Sequence, residues 1–179
     1  MVVLGAQDDN FKRSMQDGRK AELYIKKLFE NKGYFVKLND SDALKELSEW
    51  DLCISTLKNK FFIEVKNDLL SRKTQNIGFE IAVKDSEKPS SLLSTKSDYW
   101  CHVFYTSECV KIAFCKVPAL RYFLVTNYIK NKEAQMRLAN NSGDAFADIV
   151  LCDIDSFEKN MPCRIWDVTY EEAEKEGLI

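Results

Sequence analysis

The sequence predicts a mixed α/β domain, and three observations carry that prediction. A long amphipathic stretch, "DDNFKRSMQDGRKAELYIKKLFENKG", lies near the start of the chain. Short runs rich in β-branched and aromatic residues follow it, and a second helical pattern headed by a proline sits among later runs of the same kind. At 179 residues, 45% hydrophobic and 30% charged, with six Gly and three Pro, the chain suits one globular domain over residues 1–179. Its core is expected over about 11–130, with 131–179 as a C-terminal extension packed on or beside it.

In the first helix, Asp8, Asp9 or Asn10 can cap the N-terminus, and Gly33 suits the left-handed position after the last turn. Phe11, Met15, Ile25 and Phe29 form an apolar stripe that Leu28 widens. Gly18 and Glu22 occupy the positions missing from it, so Glu22 projects from the face expected to be buried. A carboxylate there needs a cation, a metal or a good hydrogen-bond donor. The other reading places Glu22 at the edge of the stripe, reaching solvent.

"YFVKL" (34–38) reads as the first strand, and a polar connection follows. "WDLCIS" and "KFFIEVK" read as two more strands of a hairpin. A two-residue turn at Lys58-Asn59 sets Leu57 against Lys60, Leu52 against Val65, Ile54 against Ile63 and Asp51 against Lys66. Asp51, Glu64 and Lys66 then share the face opposite the apolar one. "GFEIAV" suggests a strand, and "KPSSLLSTKSD" a loop. "YWCHVFYT" and "CVKIAFCKV" form a second hairpin, "PALRYFLVTNYIKNKE" a helix entered through Pro118, and "DIVLCDID" a late strand. "YEEAEKEGLI" reads as a short, mostly solvated helix.

Composition narrows the chemistry. There are six Cys but no C-x-x-C pair and a single His, so zinc-type clustering is missing. Cys53, Cys101 and Cys115 fall inside strand-like runs, where reduced Cys is a small buried residue. His102, also within a strand, reads as a satisfied core or surface histidine. Catalysis would therefore rest on carboxylates, Lys or a metal. No apolar run approaches the roughly 20 residues that span a bilayer, and the start lacks a signal-peptide pattern. The expected location is cytoplasmic, with no membrane partner. Net charge is −2, yet residues 56–96 carry eight Lys/Arg against five Asp/Glu, and residues 131–179 carry five against eleven. A local basic surface beside an acidic region is compatible with DNA binding, and the acidic region with docking of a protein partner.

Asp51 with Glu64-Val65-Lys66 has the form D-x(12)-E-x-K. Two carboxylates and a carbonyl such as that of Val65 suit Mg²⁺, which clamps a phosphate oxygen and activates water. Lys66 leaves the same face and can orient the attacking water or stabilise the pentacoordinate phosphate. Glu22 can add a third carboxylate. A salt-bridged, solvated sheet face would use the same residues, at about 0–1 kcal/mol per pair.

The pattern resembles the PD-(D/E)xK nuclease superfamily, in particular its Holliday-junction-resolvase-like and phage-encoded branch. The resemblance covers about residues 12–117; Trp50 stands where the superfamily's name has Pro. It implies a restriction-endonuclease-like core, a central mixed β-sheet flanked by helices, and a Mg²⁺-dependent DNA endonuclease of phage or mobile-element type. Mn²⁺ can substitute, and a viral protein would work in the host cytoplasm. Glu22, Asp51, Glu64 and Lys66 are then the catalytic set, with Asp51, Glu64, Val65 and Glu22 around the metal. Lys73, Thr74, Asn76 and Lys96, together with Ser94 and Thr95, are candidates for phosphate contacts. Glu80 either assists the metal or pairs with Lys84 or Arg72. Relatives on this branch are often homodimers. A non-catalytic DNA- or protein-binding module on the same fold is the rival expectation.

Overall fold

The computed structural model describes residues 5–39, 50–83, 91–130, 137–138 and 147–179. Helix α1 (Gly5–Glu30) starts earlier than its capping residues suggest, so Asp8, Asp9 and Asn10 lie inside it. Nothing between Gly5 and Asp8 stops a helix once it has nucleated. The other end is as expected: Gly33 follows at φ +83°, and its N–H donates to the Glu30 carbonyl at 2.9 Å. The buried line of α1 is Ala21, Ile25 and Phe29, whereas Met15 is 54% exposed. Ala21 has no bulk to hold the helix off the sheet, so α1 beds down there and Glu22 turns to the edge of the contact. The side chain of Phe11 lies outside the described residues.

The central sheet is built from β1 (Phe35–Leu38), β2 (Leu52–Ser55) and β3 (Lys60–Asp68), then β5 (Tyr99–Tyr105), β6 (Val110–Lys116) and β9 (Arg164–Val168). Its order is β1-β2-β3-β5-β6-β9. β3 and β5 are parallel and the other neighbours antiparallel, so the sheet is mixed and the fold is mixed α/β. Parallel neighbours need a crossover. Here it runs through α2 (Ser71–Thr74), β4 (Asn76–Val83) and a 3₁₀ turn, Ser91–Leu93. β4 leaves the central sheet and pairs instead with β8 (Ala147–Asp153), which also pairs β7 (Arg137–Leu138). Helix α3 (Val117–Lys130) follows β6, α4 (Ile154–Asn160) follows β8, and α5 (Tyr170–Lys175) follows β9.

Each face of the central sheet has its own core. Ile63, Val65, Cys101, Val103 and Ile112 pack beneath α1, and Ala173 and Leu178 close the same cluster. The C-terminal helix is mostly solvated, as expected, but Ala173 and Leu178 anchor it, and a capping box between Thr169 and Glu172 starts α5. On the other face Trp100, Phe104 and Cys115 meet Ile77, Phe79, Leu120 and Phe157. Burying each such large side chain is worth about 1.5–3 kcal/mol. The six cysteines are free thiols. No described helix is long and apolar enough to cross a membrane.

The β2–β3 register corrects the sequence reading. Thr56 Oγ1 accepts the N–H groups of Lys58 (3.2 Å) and Asn59 (2.9 Å), and Thr56 N–H donates to the Asn59 carbonyl (2.8 Å). This hydroxyl-organised loop spans Thr56–Asn59 and displaces the two-residue turn. Leu52 therefore faces Ile63 and Ile54 faces Phe61, two residues from the expected pairing. A slip of two preserves which residues share a face. It changes the neighbour of Asp51 from Lys66 to Glu64.

Candidate metal centre

Asp51 lies one step beyond the last β2–β3 pair, held by its backbone: its N–H donates to the Ile63 carbonyl and its carbonyl accepts from Asn39, both at 2.9 Å. Buried Asn39 also donates through Nδ2 to the Trp50 carbonyl at 3.0 Å. Asn39 thus fixes the Trp50-Asp51 corner, a role hidden in a sequence where it only ends a strand. Trp50 packs on Phe62 at 5.2 Å between centroids, covering one side of the patch. The Asp51 carboxylate accepts the Val65 N–H at 2.7 Å. The N–H and C=O of a strand residue project to the same side, so the Val65 carbonyl also lies on the Asp51 side of β3.

Glu64 is ion-paired to Lys66 (Oε1 to Nζ, 3.1 Å), and Thr95 Oγ1 approaches its other oxygen at 3.4 Å. Thr95 is buried, and Arg121 donates to its carbonyl. It serves Glu64 instead of an exposed phosphate contact. Glu22 pairs with Arg19 at 2.7 Å and its side chain is 13% exposed. It is close enough to Asp51 to act on its ionisation. Glu80, exposed on β4, likewise acts on Lys66.

Electrostatics follow from this crowding. Burial, then Glu64, then Glu22 push the Asp51 carboxyl up to about 7, against the lowering effects of the Val65 N–H and Lys66. Burial pulls Lys66 down, but Glu64, Asp51 and Glu80 outweigh it and hold the ammonium above its ordinary value. Lys66 is therefore a proton-bearing cation in this arrangement. Asp51 is a carboxyl short of compensating charge.

Further along the same face, Asp68 accepts the N–H groups of Gly78 (2.8 Å) and Ser71 (3.2 Å). A Cβ on Gly78 would meet Ile149 Cγ2 at 3.3 Å and Asp68 Oδ2 at 3.6 Å, so glycine permits this approach of β4. Burial pushes Asp68 up, but the adjacent His102 imidazole and these two N–H groups more than offset it, leaving the carboxyl below its ordinary value. Lys66, Asp68 and His102 line a cleft of about 550 Å³ between the two sheets.

Among the residues proposed for phosphate contact, Thr74 and Asn76 line this cleft, while Lys73 and Lys96 are exposed outside its lining. Ser94 is exposed and its hydroxyl donates to the Ser91 carbonyl at 3.2 Å. Lys84, a partner suggested for Glu80, lies outside the described residues. Tyr99 stacks on Phe114 at 4.7 Å and Trp100 is buried, so both belong to the packing.

Hard oxygen donors from Asp51, Glu64 and the Val65 carbonyl, with the Asp51 carboxyl pushed up by burial and then by Glu64, fit a divalent cation. Among the described residues no group of three or more His, Cys, Asp or Glu side chains is assembled for a metal. A cation here would rest on two carboxylates, the backbone and water. A scan against protein-family models, a search of curated proteins and a search of solved structures each return no match.

Proposed function

We propose that the chain is a Mg²⁺-dependent DNA endonuclease of the PD-(D/E)xK type, built on a restriction-endonuclease-like core. The observation that carries this reading is the Asp51–Glu64 corner: two carboxylates from neighbouring strands converge beside Lys66, on the face that opens into the cleft. Asp51, Glu64 and the Val65 carbonyl would hold the cation, with Glu22 supporting them from α1. Bound there, Mg²⁺ would clamp a phosphate oxygen and lower the pKa of a coordinated water. Lys66, kept protonated by its carboxylate neighbours, stabilises charge developing on the phosphate and orients the attacking water. Trp50 and Asn39 hold the corner rigid, and Thr95 fixes the rotamer of Glu64.

A second reading has its own support. Glu22 and Glu64 already have cationic partners in Arg19 and Lys66, as a non-catalytic binding module with an ion-paired face would. Cleavage of labelled single-stranded, duplex and four-way-junction DNA in Mg²⁺, Mn²⁺ or EDTA separates the two. Metal-dependent cutting lost in Glu64→Ala supports the nuclease. DNA binding by a folded protein that cuts nothing moves the assignment to the binding module.

A further inference from the structure

The cleft next to Lys66 contains more than the metal chemistry uses. Two buried polar side-chain atoms without a hydrogen-bond partner among the described residues, His102 Nε2 and Ser91 Oγ, belong to residues that line it. His102 is 1% exposed. Its Nδ1 accepts the Trp100 indole N–H at 3.1 Å, so the ring proton sits on Nε2. Asp68 Oδ2 is 3.8 Å from that nitrogen, beyond hydrogen-bond reach. His102 Nε2 thus has an electrostatic neighbour but no hydrogen bond, and Ser91 Oγ has none either. A buried polar group left without a hydrogen bond costs about 1–3 kcal/mol, a cost that a bound partner removes.

The rest of the lining says what that partner is. Trp100, Leu69, Leu70, Ile149 and Leu151 give apolar walls. Asp17, Asp68 and Glu80 make the lining acidic, with Lys66 at the end nearest the metal corner. A phosphate would be repelled by these carboxylates. A flat heterocycle with donors and acceptors on its edge matches apolar walls carrying a few fixed polar groups. We propose that this cleft receives one unpaired nucleobase of the strand whose phosphate lies at the Asp51–Glu64 corner. The assignment of that strand rests on the nuclease reading. His102 Nε2–H donates to the base edge, and Ser91 Oγ donates or accepts beside it.

The test uses the fluorescence of 2-aminopurine, as the free deoxyriboside and within a short single-stranded oligonucleotide, titrated with the protein in EDTA. Saturable quenching is expected, displaced by natural nucleosides and not by inorganic phosphate. Ile149→Trp, which fills the cleft, should abolish it. Ser91→Ala, which removes one hydroxyl at a position already at positive φ, should weaken it about fivefold. The second variant keeps the test open should the first fail to fold. Absence of saturable quenching, displacement by phosphate, or folded variants that bind like wild type would each overturn the base pocket. Mg²⁺-dependent cleavage by the same preparation tells the two failures apart. Cutting that needs Glu64, without uptake of the base analogue, removes the pocket alone. Uptake without cutting keeps the pocket and removes the nuclease.

Discussion

Two places in this molecule set one lysine between two carboxylates, and they behave differently. On β6, Lys111 touches Glu158 of α4 at 3.0 Å and Asp167 of β9 at 3.2 Å. Its side chain is 17% exposed, and Asp167 reaches solvent. Both acids face the ammonium, which is held above its ordinary value despite its burial. At the Asp51–Glu64 corner, Lys66 touches Glu64 of the two carboxylates, and Asp51 turns to a backbone N–H. The same three charges thus give an ion triad with both acids on the lysine in one place and a strained carboxyl in the other. Spacing decides the outcome: Glu158 and Asp167 come from separate elements on either side of the lysine, while Asp51 and Glu64 are neighbours across a strand pair.

The largest expected contrast is catalytic. Glu64→Ala and Asp51→Asn should each reduce Mg²⁺-dependent cleavage about a thousandfold, corresponding to about 4 kcal/mol of transition-state stabilisation. Lys111→Met should cut like wild type. Equal losses in all three, measured as initial rates on the same DNA, would break the distinction between a working corner and a structural triad.

Next comes pH. The folded-state value of Asp51, about 7, lies above its ordinary 3.8. Folding therefore takes up a proton between about pH 4 and pH 7. The stability tied to that proton is complete below pH 4 and is lost as pH rises through 7. Asp51→Asn carries no such loss. In EDTA its Tm should match wild type near pH 4 and exceed it by pH 8, by about 4 kcal/mol or about 8–16 °C. A constant difference across that range would show that the corner is not strained.

Metal should relieve the same strain. At pH 8, Mg²⁺ at a hundredfold excess over its Kd should stabilise wild type by about 2.7 kcal/mol, about 5–10 °C in Tm. The shift should vanish in Asp51→Asn and survive intact in Lys111→Met. Thermal scans in Mg²⁺ and EDTA settle it, and an unchanged wild-type Tm at saturating Mg²⁺ would favour the ion-paired binding module.

How much of this was legible in the sequence depends on the range of the interaction. The first helix, the β5–β6 hairpin and the shared face of Asp51, Glu64 and Lys66 rest on local periodicity, and all three are present. The hairpin register was not legible, because Thr56 organises its loop through a hydroxyl that competes with a two-residue turn. Glu22 stands at the edge of the buried line, largely covered and paired with Arg19, between the two placements the sequence allowed, since the depth at which Ala21 seats depends on the sheet beneath it. Asn39 and the second sheet escaped, and Thr95 was given a phosphate instead of Glu64, because each acts through partners far along the chain. Residues 164–168, a modest apolar run, become an edge strand only because β6 offers a free edge.

The smallest expected effect tests the triad itself. Lys111→Met removes the cation between Glu158 and Asp167 and leaves two carboxylates facing across β6. Their separation by the lysine's own width, and the solvent at Asp167, keep their repulsion weak. The methionine retains most of the aliphatic stem, so packing against the strand is preserved. A loss of about 0.5–1 kcal/mol follows, measurable by urea unfolding at low salt and smaller in 1 M NaCl. A loss of several kcal/mol, insensitive to salt, would mean that the triad is as electrostatically tense as the Asp51 corner. Crowding of charge, and not its arrangement, would then be the common property of both.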